Sequence, residues 1–222
     1  MAIILVLNLG LKSVRCIAFS FDGSVLAQSS QPIHTLVNNE RVEQDPEEWS
    51  TLSWQVVGKV ISELRNSASK IRYITVTTSA SCLLALDSNG RPLRNSILVS
   101  DTRAVNEARI LAHTVEFQSV QAQTGSKSSP DLMLPKIMWL ARHEPETFKQ
   151  AAHFVNVGDY LVAQLTDRYV TDTNNALKFH YVMSQCSYPQ LLLESLSIDD
   201  FFLSGTSISD IHTTFRLTSS LW

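Results

Sequence analysis

The sequence predicts an α/β layer fold in which a mixed sheet opens with a β-hairpin and is flanked by helices. Three observations carry this prediction. Residues 2–7 are an unbroken aliphatic run, the mark of a strand covered on both faces. Residues 13–19 and 25–33 are two further strand candidates, separated by Phe21-Asp22-Gly23-Ser24 with its Asp-Gly hairpin signal. Joined to the first run by the turn Asn8-Leu9-Gly10, they make an antiparallel meander. A well-marked helix and a β-branched strand at 71–77 follow, and a strand–helix–strand connection of this length returns parallel to the sheet.

The helix begins within Glu43-Gln44-Asp45-Pro46-Glu47-Glu48-Trp49. Asp45 caps free amides, Pro46 suits the first helical position, and two glutamates favour the positive helix end. Trp49, Leu52, Val56, Val57, Val60, Ile61 and Leu64 then recur at three- and four-residue steps, an apolar stripe that packs on the sheet. Residues 82–87 and 97–99, with Ser88-Asn89-Gly90 between them, read as another hairpin. Beyond Thr102 the pattern is helical, over 104–117, 134–142, 145–152, 159–165 and 189–196, with a polar loop at 123–129. The stretch 204–222 is rich in Ser and Thr and without period; it reads as an edge strand, a linker or the start of a further element.

At 222 residues, against about 150 per domain, the chain is long enough for one large domain or a domain with an extension. Hydrophobic residues at 44% against 18% charged exclude a disordered chain. A net charge of −3 supplies no cationic field for polyphosphate, so nucleic acid is not expected as a partner. The apolar opening run lacks a basic flank and falls far short of the roughly 20 residues that cross a bilayer, so no membrane association is expected either. Cys16, Cys82 and Cys186 are odd in number and far apart, which suggests neither a disulfide framework nor a metal knuckle and fits a reducing cytoplasm. The six histidines show no metal-ligand spacing, and no G-x-S-x-G string marks a serine hydrolase.

Three short constellations could carry chemistry. In Asn8-Leu9-Gly10-Leu11-Lys12-Ser13, a glycine turn after a buried strand exposes amides, and Lys12 and Ser13 add charge and a hydroxyl for a phosphate; plain turn chemistry is the alternative. In Val99-Ser100-Asp101-Thr102-Arg103, a carboxylate, a hydroxyl and a guanidinium stand ready to orient a polyhydroxylated ligand. The alternative there is that Asp101 or Thr102 caps the next helix and Arg103 is solvated. In Tyr169-Val170-Thr171-Asp172-Thr173-Asn174-Asn175-Ala176, the polar groups bind a hydroxyl or hold a loop through Asx turns, and the structural reading is preferred.

In their order these segments resemble the N-terminal domain of the FGGY carbohydrate kinases, the family of xylulose, gluconate, ribulose and glycerol kinases. The resemblance covers nearly the whole chain and rests on 8–15, Val42-Glu43-Gln44-Asp45-Pro46-Glu47-Glu48-Trp49, 83–92, and Ser100-Asp101-Thr102-Arg103-Ala104. Further on it rests on Pro135-Lys136-Ile137-Met138-Trp139-Leu140, Gly158-Asp159-Tyr160-Leu161 and Val170-Thr171-Asp172 with Asn175-Ala176. It implies a ribonuclease H-like (actin-like) ATPase domain, the first of two that clamp sugar and ATP between them. The family moves the γ-phosphoryl of ATP to a sugar or polyol hydroxyl with Mg²⁺, positioning and a carboxylate base. On this resemblance Ser79, Ser81, Asp101, Thr102 and Arg103 belong to the sugar side, and Asn8, Gly10, Lys12 and Ser13 to phosphate and Mg²⁺.

Several positions depart from the family pattern. Asn8 and Leu11 stand where the family usually places a Mg²⁺-organising Asp and a phosphate-side Thr. Ser79-Ala80-Ser81-Cys82 replaces the Gln-Met-His-Gly of xylulose-type members and the Arg-Glu pair of glycerol kinases, and Val99 replaces an aromatic substrate wall. The family's base, an Asp in a Gly-Asp-Asn or Gly-Asp-Gln string, is expected beyond Trp222 together with the ATP-binding domain. No catalytic residue is therefore expected within 1–222, and Asp172 is assigned to shaping the sugar-side loops. The expectation is a single sugar-side domain, inactive alone, that takes a sugar or polyol and partners a C-terminal kinase domain, with homo-oligomerisation left open. The competing expectation is a non-catalytic binder of sugar or protein. A ribonuclease H-like nuclease lacks its first-strand carboxylate.

Overall fold

The computed structural model describes residues 2–198 in full and the backbone of 208–209 and 214–216. Strands β1 (Ile3–Leu9), β2 (Ser13–Ser20) and β3 (Val25–Pro32) form the expected antiparallel meander. At its second tip Asp22 accepts a hydrogen bond from the Ser24 amide at 3.0 Å and Gly23 takes φ +87°, the left-handed geometry that favours glycine. After the short hairpin β4 (Leu36–Asn38) and β5 (Arg41–Gln44), helix α1 (Pro46–Leu64) starts where predicted, with the Asp45 carboxylate accepting from the Glu47 amide at 2.8 Å. A 3-10 turn (Arg65–Lys70) leads into β6 (Ile71–Thr78), which lies parallel to β1.

Trp49, Val56, Val60 and Leu64 on α1 are buried in one cluster with Leu5, Leu7 and Leu9 of β1, so the apolar stripe meets the odd-numbered side of the strand. The expectation of cover on both faces is corrected here. Burial along β1 alternates, and Ile4, Val6 and Asn8 are only half-buried. The later helix over Val157–Thr166 joins α1 on the same side, where Gln164 donates to the Ser50 hydroxyl at 2.7 Å.

Beyond β6 come β7 (Leu84–Leu86) and β8 (Ser96–Ile97). The predicted hairpin is reduced to bridges, Leu83 to Ile97 and Leu86 to Pro92. Each strand finds its ladder elsewhere, β8 against β5 and β7 against β9 (His153–Val155). The single helix predicted over 104–117 is two, α2 (Val105–Ala112) and α3 (Val115–Thr124). Thr114 divides them by accepting from the Phe117 amide at 3.2 Å, the N-cap role that lets a threonine compete with helix continuation. α3 ends at Gly125 with φ +70°.

Helices α4 (Met133–His143), α5 (Pro145–Gln150) and α6 (Val157–Thr166) fall close to their predicted spans. The segment read as an Asx-held loop is instead β10 (Thr171–Asp172) and a short helix, α7 (Thr173–Lys178), capped by Asp172; α8 (Gln190–Ser195) follows. A second buried cluster, including Leu83, Leu111, Phe117, Ile137 and Phe154, holds α2, α3, α4 and α8 together. The backbone of β11 (Ile208–Ser209) pairs with β10, and β12 (Thr214–Arg216) is an edge strand on β6, giving the order β12-β6-β1-β2-β3. The rest of the 204–222 reading lies outside the described residues. No described helix is long and apolar enough to cross a membrane.

Candidate functional site

The adjacent parallel strands β1 and β6 end side by side, Leu9 beside Thr78, and the predicted phosphate turn and sugar loop both leave from there. Ser79 donates its amide to the Leu9 carbonyl at 3.2 Å, so the two segments are tied directly. In open α/β sheets, ligands collect at the carboxyl ends of such strands.

The turn is closed by the Gly10 amide bonding the Ser13 carbonyl at 3.0 Å, so this amide is not available to a phosphate. Lys12 is exposed and Ser13 half-buried. Asn8 has a partner the sequence reading did not name. Arg15, directly across the β1–β2 ladder, donates from Nη2 to Asn8 Oδ1 at 2.9 Å. The one side-chain oxygen that Asn8 could offer a cation thus already faces a guanidinium. Among the described residues no three His, Cys, Asp or Glu side chains come together as a metal site. The residues present therefore do not fit Mg²⁺ at Asn8, while Arg15 and Lys12 supply two positive charges near the turn.

The Glu43–Trp49 string explains itself through this turn. Buried Gln44 donates to the Leu11 carbonyl and to Thr35 Oγ1, both at 2.8 Å, and accepts from the Trp49 indole at 2.8 Å. One side chain thereby locks the phosphate turn to the first helix.

Asp101, Thr102 and Arg103 behave differently from both readings of them. Asp101 caps no helix: α2 begins after Ala104 with no side-chain cap. Arg103 is not solvated; its side chain is 1% exposed. Asp101 Oδ1 accepts from the Arg103 amide at 3.0 Å and Nε at 2.9 Å, and Oδ2 accepts from Arg103 Nη2 at 2.7 Å and the Val42 amide at 2.6 Å. Glu43 takes Arg103 Nη2 at 2.6 Å and also pairs with Arg94. The Arg103 guanidinium lies 4.9 Å from the Trp139 ring centroid. Burial pulls its pKa down, but the hydrogen bonds and charges of Asp101 and Glu43 outweigh burial and raise it. This buried pair joins β5 to the start of α2 and leaves neither Asp101 oxygen for a ligand. Thr102 alone of the three is exposed.

In the sugar loop, Ser79 is half-buried and Ser81 is buried with φ +62°, a conformation costly for a residue with a Cβ. The Ser81 hydroxyl has no partner. Its carbonyl accepts from Lys136 Nζ at 2.6 Å, and Nζ also reaches the carbonyls of Leu98 at 2.9 Å and Asp131 at 3.2 Å. Lys136 is fully buried, and burial, only partly offset by the charges of Cys82, Asp101 and Asp131, brings its pKa down to about 8. Its place in the Pro135–Leu140 string was visible in the sequence; its role was not, because an isolated lysine on an apolar helix reads as a surface residue.

A cavity of about 250 Å³ opens beside the end of β6, lined by Thr77, Thr78, Gly158, Asp172, Asn174 and Asn175 among others. Its walls are the first turn of α6, closed by an Asn156–Asp159 capping box, and the first turn of α7. Asp172 accepts from the Asn175 amide at 2.9 Å and Nδ2 at 2.6 Å, so it serves as the N-cap of α7 rather than as the holder of a loop.

Residues 3–210 match the family model described as "FGGY family of carbohydrate kinases, N-terminal domain". The chain is 29% identical over 177 residues to the xylulose kinase of Escherichia coli K12, covering 77% of this chain and 34% of that protein. It is 25% identical over 168 residues to the gluconokinase of Bacillus subtilis, covering 75% of this chain and 32% of that one. The crystal structure of a xylulose kinase from Rhodospirillum rubrum superposes with a TM-score of 0.79 at 28% identity, over 90% of this chain and 42% of that one. This chain therefore spans about a third to two fifths of the length of these relatives. The fold they share is the actin-like ATPase domain. With that fold, and with the family model matched along most of its length, the chain belongs to the FGGY carbohydrate kinases as an N-terminal domain of that family.

Proposed function

We propose that this chain is the sugar-side domain of an ATP-dependent carbohydrate kinase, which moves the γ-phosphoryl of ATP to a hydroxyl of a sugar or polyol. The observation that carries the reading is the meeting, at the ends of β1 and β6, of a cationic turn (Lys12, Arg15) and a polar cavity walled by α6 and α7. Such an arrangement holds a phosphorylated donor and a hydroxylated acceptor on one rigid sheet edge, and positioning of this kind supplies much of phosphoryl-transfer catalysis. Thr78, Ser79 and Ser81 orient the acceptor, and Lys12, Ser13 and Arg15 attract the phosphates. The catalytic base is assigned beyond residue 222 and the adenine site to a second domain, whose closure excludes water.

The test is ATP turnover by the full-length polypeptide over a panel of D-xylulose, gluconate and glycerol. Sugar-dependent release of ADP is expected there, and none from residues 1–222 alone. Absence of turnover with every acceptor would overturn the reading. The Asn8–Arg15 pair favours one competing reading, a non-catalytic sugar-binding module, because the family's metal carboxylate is replaced by an amide already engaged by a cation. If Asn8→Asp creates turnover where the native chain shows none, the non-catalytic module is the correct description.

A further inference from the structure

From the cavity at the end of β6 we infer that this domain selects a neutral polyol or ketose over a sugar acid, with Asn175 Oδ1 as the acceptor that orients one of its hydroxyls. The inference rests on the carbohydrate-kinase reading and narrows its substrate class. Asn175 is 4% exposed and lines the cavity. Its Nδ2 donates to Asp172 Oδ2 at 2.6 Å; a carboxylate oxygen accepts, so this bond fixes which way round the amide sits. Oδ1 is left buried with no partner. An unpaired buried carbonyl costs about 1–3 kcal/mol, and a ligand hydroxyl donating to it would recover that cost.

The surroundings define the ligand. Two carboxylates, Asp159 and Asp172, line the cavity, and no lysine, arginine or histidine does. A phosphate or a carboxylate is repelled there, while hydroxyl groups find acceptors. The Thr78 hydroxyl adds a group that both donates and accepts. The space beside Thr78 depends on Gly158: a Cβ at that position would stand 3.0 Å from Thr78 Oγ1 and 3.2 Å from Asn156 Oδ1, crowding the wall between β6 and the first turn of α6. The cavity is smaller than the common range of ligand pockets, about 300–1,000 Å³, which suits a single small sugar.

The test is NMR titration of the isotope-labelled 222-residue chain with xylitol, D-xylulose, sodium gluconate and potassium chloride in separate arms at constant ionic strength. The Asn175 side-chain amide and the Thr78 backbone amide are expected to shift with xylitol and D-xylulose but not with gluconate. Asn175→Leu should weaken xylitol binding at least tenfold. Because that variant also removes the bond to Asp172, Gly158→Ala is the companion: it leaves the Asn175–Asp172 pair intact and, with its fold verified by the dispersion of its amide spectrum, should weaken binding by a similar factor. Shifts confined to 79–81, an equal response to gluconate, a response to potassium without one to polyol, or unchanged binding in both variants would each overturn the inference. None of these outcomes bears on ATP turnover by the full-length protein, so the subsite can fail while the kinase reading stands.

Discussion

The ammonium of Lys136 lies 2.6 Å from the carbonyl oxygen of Ser81, 55 positions away in sequence. With Leu98 and Asp131 as its other acceptors, it pins the strained sugar loop to the end of β8 and the start of α4, and among the described residues no carboxylate bonds it directly. A buried lysine held by three carbonyls is a costly device, and its position beside the loop says what that cost maintains.

Replacing it should expose the device. Lys136→Met keeps the volume but strands three carbonyls, and a loss of about 2 kcal/mol or more is expected, measured by urea denaturation. Amide exchange at 79–82 should quicken in the variant.

The same residue sets a pH dependence. Its folded pKa of about 8 lies below the unfolded 10.5, so between those values the unfolded chain binds more protons and stability rises with pH. Burial raises the Cys16 thiol to about 12 from 9.0, and that group acts oppositely above pH 9. The native chain should therefore gain stability relative to Lys136→Met between pH 8 and 10; parallel stability curves for the two proteins would refute the assignment.

Arg103→Ala and Asp101→Asn should damage the fold more than ligand binding. Each leaves a buried charge or its partners uncompensated, at about 3–5 kcal/mol, read as a fall in denaturation midpoint. A variant that keeps its stability but loses sugar affinity would return Asp101 and Arg103 to the ligand-binding role.

His180 is 1% exposed, neither ring nitrogen has a partner, and its ring meets Phe117 edge-on at 5.2 Å. Burial lowers its pKa from 6.5 to about 4. The unfolded chain thus takes up the proton first, and stability is lost as pH falls from 6.5 towards 4. His180→Phe should flatten melting temperature against pH in that window.

Gly90 sits at φ +73°, and a Cβ there would stand 2.9 Å from the Tyr169 hydroxyl. Gly90→Ala should cost about 1–2 kcal/mol for the left-handed backbone, plus the clash. Tyr169→Phe should restore only the second part, and a double-mutant cycle on thermal stability separates them.

Where the signal was local, the sequence was readable. The Asp45–Pro46 start and the Asp22–Gly23 turn appear as written, because each depends on residues a few places apart, and β6 returns parallel to β1 because a strand–helix–strand connection has one favoured hand. The break at Thr114 was missed because a cap and a mid-helix threonine look alike until the chain turns. The strand partners of β7 and β8 were misread because ladder choice depends on what else folds nearby.

The candidate site divides along the same line. The sequence alone determined the family and the order of its elements, since order and spacing of motifs are properties of the chain. Only the tertiary structure decided what those residues do. It turned Arg103 inward onto Asp101, whose other partner, the Val42 amide, lies 59 positions away; it placed Arg15 against Asn8; and it left Asn175 Oδ1 without a partner. Hydrogen-bond satisfaction is settled by neighbours in space, so whether a polar side chain is occupied or free for a ligand appears only when the chain has folded.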